Sequence, residues 1–299
     1  MKRWNDYQVI ILIVLTAFLA GGVAVFTKIS LRDFPPFLFT FLRFSLALLA
    51  LWPILLFKKE KITLKKFLRA WPVAIMGTLN VIFFAFGIRH TTASSAQMLY
   101  AATPLLAIIF SVFLLNERLN YLKIIGILTG FAGAILIILL PAISGGLQLG
   151  AFAGNLTVFA GVCAYALYTV VSKKYQKDNS PLALMTYFAI AATLASLIVL
   201  PFDTASKILE YRDLPLISIL GIIYVSIFGT VIFYLSIQYI IKHATATIAA
   251  TASYLQPVFT IFWAVALLQE KVTPGFIIGG ILAFIGVLLV SRKPERKIL

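Results

Sequence analysis

PLLAIIFSVFLLNE at 104–117 and PVFTIFWAVALLQE at 257–270 are two apolar runs, each opening on a proline and closing on a glutamate. The chain holds 10 acidic residues in 299, so two of them at the same place in matching runs point to a duplication. At the same offset, 88–136 aligns with 241–289, and 17 of those 49 positions are identical. Shared apolar letters carry little weight in so apolar a chain. The pairs His90/His243, Pro104/Pro257, Glu117/Glu270, Gly126/Gly279 and Gly133/Gly286 carry more, because these residue types are scarce or position-specific here. A weaker echo sets Phe26-Thr27 against Tyr168-Thr169 and Ser30 against Ser172, and the runs 36–53 and 181–201 both start and stop at proline.

Composition says what medium the duplicated unit lives in. Apolar residues make up 62% of the chain and charged residues 12%. Soluble domains are about half apolar and about a quarter charged. A chain of this size cannot hide that much apolar surface from water, so its solvent is lipid. Ten runs, near 7–27, 36–57, 67–87, 92–114, 123–140, 150–172, 181–201, 214–239, 244–267 and 275–291, approach the roughly 20 residues a helix needs to cross a bilayer core. They lack the alternation of barrel strands. The expected fold is an all-α integral membrane protein of ten transmembrane helices. It divides into a first five-helix repeat at 1–145 and a second at 146–299. Five is odd, so the second repeat enters the membrane upside down. Inverted repeats give many carriers two related states, one open to each side.

The net charge of +15 does not call for a nucleic-acid partner. With the N-terminus placed in the cytoplasm, 18 Lys and Arg fall on cytoplasmic segments and 6 on outer loops. That excess marks the cytoplasmic side, where anionic headgroups also attract it. Both termini are expected there, in a multi-pass protein of the plasma or inner membrane whose surroundings are the lipid bilayer. The first span is too long for a signal peptide and no A-x-A site follows it. Cys163 is the single cysteine, so neither a disulfide nor a cysteine metal site is expected, and no cofactor is implied.

The stretch FFAFGIRHTTASSAQMLYAATPLLAIIFSVFLLNERLNYLKIIGILTGFAGAILI at 83–137 has a small-residue turn, a mid-helix proline, a closing glutamate and a glycine-bearing helix. With its second copy it resembles the EamA-like family of the drug/metabolite transporter superfamily, across about 5–291. The resemblance implies ten helices, a central cavity framed by the third, fourth, eighth and ninth, and movement of small metabolites, often outward. It does not identify the substrate.

Candidate site residues follow from depth and chemistry. Asn80, Gln97, Tyr100, Ser226, Thr230, Ser253, Tyr254 and Gln256 are amides and hydroxyls near the two prolines. Such groups need partners in an apolar medium, and a small-molecule substrate could supply them. Ordinary interhelical hydrogen bonding is the competing reading. Phe84 is expected to line the same space, with Phe83 and Trp263 as further candidates. Pro104 and Pro257 each remove a helical hydrogen bond and are expected to act as hinges. Arg43 is the one full charge well inside a span. Two roles are open to it: a cation for an anionic substrate, or a structural and gating residue that snorkels outward or pairs with Glu270, the latter being favoured. Glu117 and Glu270 end helices against the macrodipole. They are expected to lock the following hairpins, with alternating gate contacts as the alternative. The glycine stripe Gly126, Gly130, Gly133 serves packing first and a possible homodimer second.

Every Asp and Glu lies in a loop or at a span end, and no Walker, H-E-x-x-H or G-x-S-x-G motif is present. Carboxylate-based proton coupling loses ground to exchange or facilitated diffusion. The expected function is export of small polar or amphipathic metabolites, amino acids among them, by alternating access, and not catalysis. An importer, or a nucleotide-sugar or organic-anion exchanger, is the nearest alternative. A receptor or an intramembrane enzyme is the alternative from another class. The topology has a direct check. In a Cys163→Ser background, Lys2→Cys and Lys293→Cys should escape an impermeant thiol reagent added outside cells, and Lys207→Cys should react. The reverse labelling pattern would invert the orientation.

Overall fold

The computed structural model describes residues 6–115, 121–143, 149–204, 214–243, 249, 252–271, 274, 277–282 and 285. Among these, all regular structure is helical. In chain order the helices are α1 (Asp6–Gly21), α2 (Val23–Ser30), α3 (Pro36–Lys58), α4 (Leu64–Arg69), α5 (Trp71–Ile88), α6 (Ala93–Tyr100), α7 (Thr103–Leu115), α8 (Tyr121–Ile143), α9 (Leu149–Tyr175), α10 (Pro181–Thr204) and α11 (Leu216–Ser226). A π-helical segment (Ile227–Ile232), α12 (Phe233–His243) and α13 (Ala252–Leu268) follow. Among the described residues six spans are long and apolar enough to cross a bilayer: Pro36–Lys58, Trp71–Ile88, Ala93–Leu114, Ala151–Tyr175, Pro181–Pro201 and Leu216–His243. Val14–Ser30, Ile124–Gly133 and Phe259–Leu268 are shorter apolar helices. These stretches fall on nine of the expected spans, and the tenth, 275–291, lies largely outside the described residues.

The bundle turns apolar side chains outward as well as inward. Phe57 is 83% exposed, Phe113 77% and Ile198 72%, on three different helices. A water-facing surface would not carry such a belt, whereas lipid accepts it. Inside, two apolar clusters divide the core. One gathers Phe34, Phe39, Phe84, Leu99, Leu105 and Val158; the other gathers Phe44, Leu51, Tyr168, Tyr187, Phe188 and Ile237. Val23 and Tyr100 pack against both.

The helix pairing has a regularity. α5 packs on α9 as α11 packs on α2, α7 on α9 as α1 on α13, α10 on α5 as α11 on α3, and α3 on α5 as α10 on α12. α3 meets α10, and α6 meets α13. Exchanging the first half of the chain for the second maps each pair onto another of these pairs or onto itself.

Small residues permit the tightest crossings. A Cβ on Gly87 would sit 2.8 Å from the Gly154 carbonyl oxygen and 2.8 Å from the Val158 nitrogen, both backbone atoms that a rotamer change cannot clear. Between α1 and α2, Gly22 interrupts the helix, and the exposed carbonyls find side chains from the other half. The Tyr224 hydroxyl donates to Leu19 O at 2.9 Å, and the Thr260 hydroxyl to Gly21 O at 2.7 Å. Freed backbone acceptors in lipid must be satisfied inside the protein in this way. Replacing Gly87 with Ala should lower the unfolding temperature of the detergent-purified protein, at a cost of about 1–3 kcal/mol for overpacking. An unchanged melting curve would mean that the α5–α9 crossing has slack.

Candidate functional site

At the seam between the two apolar clusters lies a contracted cavity of about 50 Å³. Its polar lining is Arg43, Asn80, Gln97, Tyr100, Tyr165, Tyr234 and Gln256; Phe84 and Phe233 are among its apolar walls. These residues come from helices of both halves. Ligand pockets run to roughly 300–1,000 Å³, so the space as it stands has room only for a few waters.

Asn80 on α5 is the hub. Its amide nitrogen donates to the Tyr100 hydroxyl at 2.5 Å and to the Gly161 carbonyl at 3.0 Å. Its oxygen accepts from the Tyr234 hydroxyl at 2.8 Å. One side chain thus ties α5 to α6, α9 and α12. The reach to Gly161 depends on close approach, since a Cβ there would lie 3.1 Å from Asn80 O. Gln97 donates to the Gln256 oxygen at 2.5 Å, joining α6 to α13 across the duplication. The Gln256 amide nitrogen is buried with no partner among the described residues.

Arg43 on α3 is 4% exposed. It neither snorkels to a surface nor pairs with Glu270. Its Nε donates to the Thr230 hydroxyl at 2.7 Å and its Nη2 to the Gly229 carbonyl at 3.2 Å. The π-helical turn makes that carbonyl available. Phe233 N–H is shared between Phe228 O, five residues back, and Thr230 O, three residues back, and skips Gly229 O, four residues back, which an α-helix would require. Thr230 is held in turn by its own bond to Val225 O at 2.9 Å, another five-residue step. The guanidinium also lies 5.2 Å from the Phe44 ring centroid, within cation–π range.

The prolines act differently. Pro104 sits in the first turn of α7, and the fourth span is broken at Ala101–Ala102, where the backbone closes three-residue turns onto Met98 and Leu99. The missing amide of Pro104 leaves the Tyr100 carbonyl without its helical donor, next to the cavity. Pro257 lies inside continuous α13.

Among the described residues the Glu270 side chain binds across the bundle, away from its own helix. Gln269 takes a left-handed conformation (φ 54°), Glu270 N–H folds back onto Ala264 O at 3.3 Å, and the side chain swings to the start of α6. There it accepts from Ala93 N at 2.7 Å, Ser94 N at 3.0 Å and the Ser94 hydroxyl at 2.7 Å. Lys28 completes the cluster at 3.3 Å and donates to Thr91 O at 2.6 Å. A carboxylate at a helix N-terminus meets free N–H groups and the positive end of the dipole. Among the described residues Glu270 thus joins the end of α13 to the start of α6, a contact across the two halves that the hairpin-lock expectation did not include. Beside it, Thr91 bonds Asn155, and Ser218 bonds Asp33. At the opposite face Gln176 donates to Gln238, and Lys173 to Ile241 O at 2.6 Å.

Of the expected site residues, Asn80, Phe84, Gln97, Tyr100 and Gln256 line the cavity together, and Thr230 touches it through Arg43. Ser226 does not reach it: its hydroxyl bonds Ile222 O on its own helix at 2.7 Å. Trp263 packs near Phe26 and Phe262 instead, and Phe83 is not a wall. Ser253 and Tyr254 lie on α13 with side chains outside those described, and Glu117 lies outside the described residues. Tyr165 and Tyr234 as walls were missed, α1 and α9 were not expected to contribute, and Arg43 lines the cavity as in the less favoured of its two expected roles. A hydroxyl on an otherwise apolar span was the available signal for the tyrosines. Among the described residues no three His, Cys, Asp or Glu side chains converge as metal ligands would.

Fold and cavity define a membrane-embedded helical bundle with an internal polar chamber. The chain belongs to the EamA-like transporter family, as the resemblance implied; the match covers residues 8–139 and again 152–292. It is similar to an "Uncharacterized transporter" of Archaeoglobus fulgidus, 28% identical over 297 residues, covering 96% of this chain and 98% of that one. It is also similar to "Uncharacterized transporter YyaM" of Bacillus subtilis, 27% identical, covering 97% and 95%. A solved crystal structure shares the fold, with a TM-score of 0.67 at 21% identity, covering 94% of this chain and 96% of that one.

The Glu270 contact carries its own prediction. Glu270→Ala should destabilise the purified protein by about 0.5–2 kcal/mol, the usual cost of a lost helix cap. Lys28→Ala, which removes one exposed-side partner, should cost less. Equal melting temperatures for wild type and Glu270→Ala would show that water replaces the cap without loss.

Proposed function

We propose that this chain carries small polar or amphipathic metabolites across a cell membrane by alternating access, with the cavity around Asn80 and Arg43 as the substrate site. The observation that carries this reading is the chamber itself. Seven polar side chains from both halves converge on one small space inside a lipid-facing bundle, beside a broken helix and a π-helical turn. Discontinuous helices at a repeat interface are where secondary carriers hold their substrates. The exchange symmetry of the helix pairs supports an inverted duplication at 1–145 and 146–299. The cap on α6 by Glu270 supports a gate, because it ties the end of the ninth span to the start of the fourth at one face. The charge distribution supports termini in the cytoplasm, and outward transport rests on the resemblance to metabolite exporters.

In this mechanism the contracted cavity is the occluded state. Opening to one face separates α6 from α13 at the Glu270 end, and opening to the other separates the α9 and α12 ends around Gln176 and Gln238. The break at Ala101–Ala102 and Pro257 take up the bending.

Counterflow in proteoliposomes tests the reading. Vesicles preloaded with pools of unlabelled metabolites should accumulate one label from a panel of amino acids, organic acids, nucleobases and sugars. Asn80→Ala should cut that accumulation at least tenfold, because it leaves Tyr100, Tyr234 and Gly161 without their shared partner. Thr193→Ala, whose hydroxyl bonds only its own helix at Ala189, should retain it. Chemical conversion of the label would point instead to an enzyme.

A further inference from the structure

The chemistry left over in the cavity has a sign. Arg43 brings a full positive charge and five N–H donors. Its described contacts use Nε and one hydrogen on Nη2, on the side where the guanidinium faces residues 229 and 230. The end-on pair of N–H groups, one from Nη1 and one from Nη2, is left over. Gln256 adds a buried amide nitrogen without a partner among the described residues. Reversing both amides of the Gln97–Gln256 pair would only move the spare NH2 to Gln97, so one donor remains in either arrangement. Tyr165 adds a buried hydroxyl that likewise has no partner among the described residues. The Asn80 oxygen, by contrast, is occupied by Tyr234.

Among the described residues no carboxylate answers the charge. Among the described residues the ionisable groups acting on Arg43 are Tyr234 and Tyr100. Glu270, a largely buried acid, is engaged at the bundle end with Lys28, Ala93 and Ser94. A buried cation without a counter-ion is unfavourable in an apolar medium unless something else supplies the negative charge. Two neutral hydrogen bonds and the Phe44 face orient the guanidinium but leave its charge uncancelled. Nor is the charge a by-product of duplication. Counting seven residues on from Pro36 reaches Arg43, and counting seven on from Pro181 reaches Phe188, an apolar core residue.

We propose that the substrate is a small organic carboxylate with an apolar remainder, and that Arg43 holds its carboxylate bidentately through the free end of the guanidinium. This rests on the transport reading above and narrows its substrate class. The planar fork of arginine matches two carboxylate oxygens, and such paired, charge-assisted bonds are among the stronger polar contacts in proteins. The spare amide of the Gln97–Gln256 pair and the Tyr165 hydroxyl are further donors to the same acceptor-rich group. Ala20, Val23, Val81, Phe84 and Phe233 receive the apolar remainder. Amines and other cations are disfavoured, since they would meet Arg43 with no acidic side chain to offset it.

The test is ligand-dependent thermal stability of the full-length protein in detergent, with matched probes at one pH. Phenylacetate and phenylacetamide differ in charge and little in shape; phenethylamine supplies the cation; inorganic phosphate and chloride supply anions without an apolar part. Phenylacetate should stabilise the protein with an apparent affinity at least tenfold above phenylacetamide, phenethylamine and both inorganic ions. Arg43→Gln should abolish that preference, and Arg43→Lys should keep part of it. Gln256→Leu, which leaves the charge in place, should weaken phenylacetate binding several-fold and guards against a folding defect in the Arg43 variants. Three results would overturn the proposal: equal stabilisation by acid and amide, a preference for acid that survives Arg43→Gln, or stabilisation by phosphate or chloride equal to that by phenylacetate. Absence of stabilisation by phenylacetate or by longer aryl and alkyl carboxylates also overturns it. Counterflow of a neutral solute, lost in Asn80→Ala, would then leave the transport reading standing without the anion.

Discussion

A guanidinium buried among apolar helices is the constraint around which the rest of this structure is arranged. Charge inside a low-dielectric bundle is costly, and an arginine can shed neither its charge nor its need for acceptors. The protein answers with backbone and hydroxyl oxygens. A π-helical turn withdraws the usual donor from Gly229 O and turns Thr230 inward, so that two acceptors meet Arg43 on one side. Gly229 also keeps α2 close, for a Cβ there would lie 2.5 Å from the Val23 side chain. An irregular turn in a membrane helix is tolerated only where it is buried or lines a cavity, and here it does both.

Around that charge the polar groups are shared between helices. Asn80 occupies its carbonyl and both amide hydrogens on three different helices, which makes it a positional reference for the chamber. The Gln97–Gln256 bond does the same between α6 and α13. Aromatic rings fill the remaining space: Tyr165 lies against Tyr100, Tyr168, Phe233 and Tyr234, with centroids 5.9–6.2 Å apart.

The two ends of the bundle are held by polar contacts and not by apolar packing alone. Glu270 gives a helix start the negative charge it lacks, and Lys28 keeps that carboxylate in place. The opposite end relies on Gln176, Gln238 and Lys173. Hydrogen bonds at the ends can be exchanged for water at small net cost, whereas the glycine crossings between α5 and α9 cannot be opened without exposing backbone to lipid. Movement is therefore easier at the ends than at the crossings.

The sequence alone determined the medium, the helical class, the duplication and the family, because these depend on composition, run length and repeated rare residues. It also singled out Asn80, Gln97, Tyr100 and Gln256, since amides and a phenol deep in apolar runs must find partners. Tertiary structure decided which way each one faces. In a span that is apolar all round, no amphipathic stripe reports the buried side, so Ser226 and Tyr165 looked alike in kind, yet one bonds its own helix and the other lines the chamber. Arg43 and Glu270 could have met each other on charge alone. Only the packing shows that Arg43 is held by a π-helical turn and Glu270 by the start of another helix, because the partners of both lie on elements distant in sequence whose rotation is set by glycine contacts and not by local pattern.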